Sequence, residues 1–180
     1  TKVYNTIIND FNELQNSGLM TNNITELDNV IKFVSECDIL QCKAYIANKF
    51  NYCKPEIVKA DKSFVKFEKI RHCLIEQLNT KELYVTNDLE LGREDNGLLL
   101  YGTNAVGKTS FIKSVGIAII MAQCGLYVSA SNFNYYPYNH IFTRILGQDN
   151  IFKGLSTFAV EMSELRTILQ YSDENSLILG

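Results

Sequence analysis

The sequence predicts an α/β fold preceded by a helical segment, and three observations carry that prediction. The first is Gly102-Thr103-Asn104-Ala105-Val106-Gly107-Lys108-Thr109, which fits the phosphate-cradling pattern G-x-x-x-x-G-K-[ST]. It stands between the apolar run Leu98-Leu99-Leu100-Tyr101 and a stretch, Ser110 to Cys124, that is apolar almost all round. A strand buried on both faces, a glycine-rich turn and a buried helix account for that order. The second observation is the alternation of strand-type and helix-type runs after residue 58, closing on the fully apolar Leu177-Ile178-Leu179. Such alternation implies a mainly parallel sheet. The third is that the chain before Pro55 carries helical spacing in two successive stretches.

In order, Tyr4, Ile7, Ile8, Phe11 and Leu14 fall at helical spacing, and Asn16-Ser17-Gly18 ends that pattern. A second helix starts near Asn23, with Glu26 three residues on as a capping box. Its apolar stripe runs Leu27, Val30, Ile31, Val34, Cys37, Leu40, Ala44 and Ala47, while Lys32, Lys43 and Lys49 read as a solvated face. Phe64-Val65-Lys66-Phe67 alternates like a strand, and Glu82-Leu83-Tyr84-Val85 reads as another. Asn87-Asp88 and Gly92 to Gly97 are turn clusters. Gly125 stops the central helix, Leu126-Tyr127-Val128 is a short strand, and the aromatic, asparagine-rich Ser131 to Asn139 reads as a surface loop. Gly154 to Thr157 opens a last helix with Phe158, Met162, Leu165 and Leu169 on one face.

The loop residues each have a physical task. Gly102 and Gly107 allow positive φ and close approach to oxyanions. The amides of Asn104, Ala105, Val106, Gly107, Lys108 and Thr109, at a helix N-terminus, suit bound phosphate. Lys108 can reach β- and γ-phosphates and the Thr109 hydroxyl can ligate Mg²⁺. The other reading is a glycine-rich turn at the start of a core helix. No N-K-x-D pattern follows the loop, which disfavours a GTPase.

Composition narrows the classes. Hydrophobic residues are 46% and charged residues 21%, a globular profile, and a net charge of −3 supplies no basic field for DNA or membranes. No apolar run spans a bilayer and no signal-peptide pattern opens the chain. Five scattered cysteines without a C-x-x-C pair point to reduced thiols in an intracellular, soluble protein. The chain starts at Thr1 without methionine and stops at Gly180 directly after an apolar run, so a segment of a longer protein is expected.

From about Leu27 onward the sequence resembles the MutS family of DNA mismatch-repair ATPases. Ile70-Arg71-His72 is similar to the family's G-R-H-P, with Cys73 in place of proline. Tyr84-Val85-Thr86-Asn87-Asp88 is similar to F-V-P-N-D, and the loop resembles G-P-N-M-G-G-K-S-T with Thr109 for serine. Ile141-Phe142-Thr143-Arg144-Ile145 matches I-F-T-R-I, and Ser156 to Met162 is nearly S-T-F-M-V-E-M.

The resemblance implies a P-loop NTPase sheet of ABC type with flanking helices, preceded by an α-helical segment. Residues 1–57 would be the helical end of the family's core, and residues 58–180 the first part of its ATPase domain, stopping before the Asp-Glu pair of the second nucleotide motif. It implies ATP and Mg²⁺ as cofactors, with Gly102 to Ser110 as the phosphate cradle and Thr109 on the metal. Tyr84 would stack on adenine with Val85 beside it, against the alternative of a tyrosine packed in the core. Ser156 would reach the γ-phosphate held by a second subunit, against the alternative of a plain helix N-cap. Asp149 would lie near the metal or the interface, or be a solvated loop carboxylate; His72 and His140 read as structural. Implied partners are a second MutS-type subunit and mismatched or branched DNA, reached through regions outside this chain. The activity implied is ATP hydrolysis driving a DNA clamp in the intact dimer, the piece alone being inactive. The alternatives are a relative acting on recombination intermediates and an ATP-gated structural module without turnover.

Overall fold

The computed structural model describes Thr6 and residues 8–10, 12–13, 16–17, 19–78, 83–103, 106–144 and 157–180. The chain divides into two compact units, residues 1–45 and 46–180.

The long helix α1 spans Leu19–Phe50, beginning ahead of the expected start at Asn23. Its stripe is helical as the spacing predicts, yet Leu27, Val30, Ile31, Val34 and Leu40 are all exposed among the described residues. The helix ends where Asn51 takes φ 52, a left-handed value asparagine tolerates, and the Tyr52 amide closes on the Ala47 carbonyl at 2.9 Å. One guanidinium nitrogen of Arg71 then donates to the carbonyls of Phe50 and Asn51, each at 3.0 Å. A cation on the last carbonyls also complements the helix dipole.

The second unit is built on a four-stranded sheet. Its strands are β1 (Glu56–Ile57), β2 (Phe64–Ile70), β3 (Asn87–Leu91) and β4 (Asn132–Tyr136), in the order β1-β4-β2-β3. β2 is antiparallel to both β3 and β4, and only β1 runs parallel to β4. A second, two-stranded sheet pairs β5 (His140–Thr143) and β6 (Ser176–Leu179) in parallel. The mainly parallel sheet expected after residue 58 is therefore confined to short pairs, and the larger sheet is antiparallel around β2. The remaining helices are α2 (Ile75–Leu78), α3 (Lys108–Gln123) and α4 (Thr157–Tyr171).

Core position follows from the side-chain pattern. Val65 and Phe67 lie on one face of β2, and an irregularity between Phe67 and Ile70, with Lys69 at φ 51, returns Ile70 to that face. The Asp88 carboxylate accepts from the displaced Lys69 amide at 2.7 Å. Against this face pack Val115, Ala118, Ile119 and Ala122 of α3, Phe133 and Tyr135 of β4, and Leu177 and Leu179 of β6. Phe67 stacks on Phe133 with ring centroids 6.0 Å apart and meets Phe111 edge-on at 6.4 Å. The Tyr135 hydroxyl donates to the Ala122 carbonyl at 3.0 Å, so its one polar atom is satisfied inside the core.

Several expected elements changed. Ser131 to Asn139, read as a loop, contains β4, whose Phe133 and Tyr135 point inward while Asn132 is exposed. Glu82 lies outside the described residues, and residues 83–86 form no strand; the pairing segment is β3, where Asn87-Asp88 was read as a turn. Leu126 to Val128 contributes only a bridge, Val128 with Cys53. Leu98 to Tyr101 forms no strand: Leu99 is 85% and Tyr101 91% exposed. An apolar run becomes a buried strand only when a neighbour supplies the ladder, and no described segment pairs with this one.

Candidate functional site

The site begins at the N-terminus of α3. Gly107 occupies the cap position at φ 92, ψ 6, and no described side chain caps the helix. The helix's first hydrogen bond runs from the Phe111 amide to the Gly107 carbonyl, so the amides of Lys108, Thr109 and Ser110 find no partner within the helix. A helix N-terminus whose first amides have no partner within the helix, and whose dipole end is positive, favours an anion.

Lys108 folds back over the loop. Its ammonium donates to the carbonyls of Gly102 at 2.6 Å and Thr103 at 2.5 Å, closing the loop around the start of the helix. Gly102, Thr103, Val106, Gly107 and Thr109 are exposed, and Lys108 and Ser110 are half-buried. Asn104 and Ala105 lie outside the described residues. The structure thus brings Gly102, Thr103, Gly107, Lys108 and Thr109 together at one helix end.

A cavity of about 1010 Å³ adjoins this end, lined among others by Lys108, Thr109, Leu98, Leu177, Arg144 and Glu161. Among the described residues no group of three or more His, Cys, Asp or Glu side chains forms a metal cluster. The Thr109 hydroxyl is nonetheless a hard oxygen donor of the kind Mg²⁺ takes alongside water and phosphate oxygens.

Tyr84 is half-buried, and burial pushes its hydroxyl above the usual tyrosine range, with the His72 backbone, Glu76 and the Ser114 hydroxyl around it. Ser114 lies six residues beyond Lys108, about 9 Å along the helix at 1.5 Å per residue. The Tyr84 hydroxyl is therefore at the flank of α3, while Val85 is 80% exposed. His72 is buried, and its Nδ1 accepts from the amides of Leu74 at 3.3 Å and Ile75 at 3.4 Å, at the start of α2. Beside it Glu76 approaches Arg71 Nε at 2.9 Å, off the hydrogen-bond direction, and burial pushes the Glu76 carboxyl up against the pull of Arg71. Ser156 and Asp149 lie outside the described residues.

One cluster had no role assigned from sequence. Arg144, directly after β5, meets Glu161 at 2.7 Å and Glu164 at 3.1 Å on α4. The signal was present in the i, i+3 spacing of the two glutamates, which places both on one side of a helix. What it lacked was the arginine's position, which comes from another element.

The chain matches the family MutS domain V over residues 98–179, the stretch that holds the loop, α3, α4 and β6. It is 41% identical over 155 residues to the mitochondrial DNA mismatch repair protein mutS homolog of Sarcophyton glaucum, covering 84% of this chain and 16% of the relative. It is 40% identical over 148 residues to DNA mismatch repair protein MutS of Staphylococcus haemolyticus, covering 82% and 16%. With the protein of the same description from Chlorobaculum tepidum it shares 37% over 147 residues, covering 81% and 16%. The chain belongs to the MutS family of DNA mismatch-repair proteins, whose domain V is the ATPase domain. It spans about a sixth of the length of these relatives. No described helix is long and apolar enough to cross a membrane.

Proposed function

We propose that this chain is part of the ATPase module of a MutS-type protein, in which ATP binding and hydrolysis switch a DNA clamp between states. The observation that carries this reading is the placement of Lys108: its ammonium closes the loop at a helix end whose amides have no helical partner. A ligand with clustered negative oxygens satisfies both features at once. In this reading residues 58–180 belong to a P-loop ATPase sheet of ABC type and residues 1–57 to the helical end of the core. Gly102 to Ser110 cradle the phosphates, Lys108 reaches the β- and γ-oxygens, and Tyr84 with Val85 receives the adenine.

Mg²⁺, when bound, would neutralise charge on the β- and γ-phosphates, held on the protein side by Thr109. Ser156 would act on the γ-phosphate of a second subunit, so turnover belongs to the dimer. The relatives' descriptions as mismatch repair proteins favour mismatched DNA over recombination intermediates as the partner of the whole protein.

The test is ATP titration of the full-length protein with Mg²⁺. Lys108→Ala removes a charge-assisted contact worth about 1.5–3 kcal/mol, so ATP affinity should fall by about one to two decades. Unchanged affinity in a folded variant overturns the reading.

A further inference from the structure

We propose that Arg144 is a positioning residue for turnover: it holds the N-terminal half of α4 against the β5–β6 pair, at the cavity shared with Lys108 and Thr109. This inference rests on the proposed reading that the start of α4 serves the nucleotide reaction.

Three observations carry it. The Arg144 amide donates to the Leu179 carbonyl at 2.7 Å, continuing the β5–β6 ladder by one residue, so the backbone beneath the side chain is fixed. From that base the guanidinium reaches both Glu161 and Glu164, the second through an Nε–H donated to the carboxylate at 3.1 Å. A planar fork meeting two carboxylates on one helix face defines direction as well as distance, which a lysine cannot reproduce.

The third observation is that none of the described side chains in that half of the helix is fully buried. Among the described side chains of α4 only Ile168 is buried, and it lies in the C-terminal half. Met162 and Leu165 are 43% and 38% exposed. Among the described side chains the buried apolar contact thus lies toward the C-terminal end of α4, and the ionic fork of Arg144 holds Glu161 and Glu164 nearer its start. Loss of the fork leaves α4 helical but lets its first turns shift relative to the loop.

The experiment uses the full-length protein and measures ATP affinity by equilibrium titration, kcat and KM, with a thermal melt as the fold check. Arg144→Gln should lower kcat by about tenfold or more, the scale of loss when a positioned group moves by about 1 Å, while ATP affinity stays within about twofold. Glu161→Gln with Glu164→Gln should reproduce that split. Arg144→Lys, which keeps the charge and loses the fork, should fall between the two. A merely structural arginine would lower affinity and kcat together, or lower the melt and leave kcat of the folded protein unchanged; either result overturns the proposal. If Arg144→Gln fails to fold, the double glutamate variant decides alone on the same criterion. Lys108→Ala run in parallel separates the two readings. If it weakens ATP binding by about one to two decades while the Arg144 and glutamate variants keep full kcat, only the positioning role falls. If the wild-type protein neither binds nor hydrolyses ATP, both fall.

Discussion

The two sheets of the second unit are held by different physics. The four-stranded sheet and α3 share a dry face in which Val65, Phe67, Phe133 and Ile119 are at most 1% exposed. The β5–β6 pair sends Leu177 and Leu179 into the same core, packs Ile141 half-buried against it, and adds directional polar ties. Asn175 Oδ1, in the turn before β6, accepts from the Ser63 amide at 2.8 Å, and Arg144 holds α4. Even the contact with α3 is close: a Cβ added at Gly116 would lie 2.8 Å from Leu179. Packing without direction builds a body that resists change. Polar ties hold a segment in one orientation while leaving it easier to move.

Removing bulk from the first region should have the largest effect on stability. Phe133→Ala empties the space between Phe67 and Tyr135, and such substitutions cost about 3–5 kcal/mol. Denaturant unfolding monitored by circular dichroism measures it. A cost near that of an exposed substitution would mean the sheet does not depend on its aromatic stack.

Cutting a polar tie should cost less. Asn175→Ala leaves the buried Ser63 amide without its acceptor, for about 1–3 kcal/mol, and should raise hydrogen exchange at β5 and β6 more than at β2. If Asn175→Ala proved as costly as Phe133→Ala, or if exchange rose evenly over both sheets, the contrast between the regions would fail.

The smallest effect concerns a buried titratable group in the first region. Burial holds the His72 imidazole below its ordinary value of 6.5, so the folded protein resists protonation that the unfolded chain accepts. The unfolded state then binds more protons, and stability falls as pH drops below 6.5 through the lower folded value. The slope is bounded at about 1.4 kcal/mol per pH unit for one proton. His72→Asn should flatten the stability–pH curve in that window; an unaltered slope would show that other groups set it.

How much of this was legible beforehand varied with the range of the cause. The left-handed turn at Gly107 and α3 were readable because both are local: Gly107 must turn with positive φ, and the run from Ser110 to Cys124 has no polar face. β2 was readable from alternation, though not the irregularity at Lys69, which exists because Asp88 from another strand takes its amide. β4 was misread because asparagines outweighed the period-two placing of Phe133 and Tyr135, and strand composition is a weaker signal than the side-chain partners a strand finds.

Gly92 shows the same division. Its turn was evident from the cluster around it, but a Cβ there would lie 2.6 Å from the Ser63 carbonyl oxygen, a constraint set by a residue far away in sequence. By itself the sequence determined the periodicities, the glycine-rich motif at residues 102–109 and the family resemblance, since each is read from runs of neighbouring residues. Tertiary structure alone decided which apolar runs are covered. The stripe of α1 and the run Leu98 to Tyr101 are as apolar as buried elements, yet Leu27, Val30, Ile31, Val34 and Leu40 of the first, and Leu98, Leu99 and Tyr101 of the second, are exposed. It also decided that Arg144 meets Glu161 and Glu164. Burial and ion pairing need a partner surface, and no local pattern specifies where the chain will supply one.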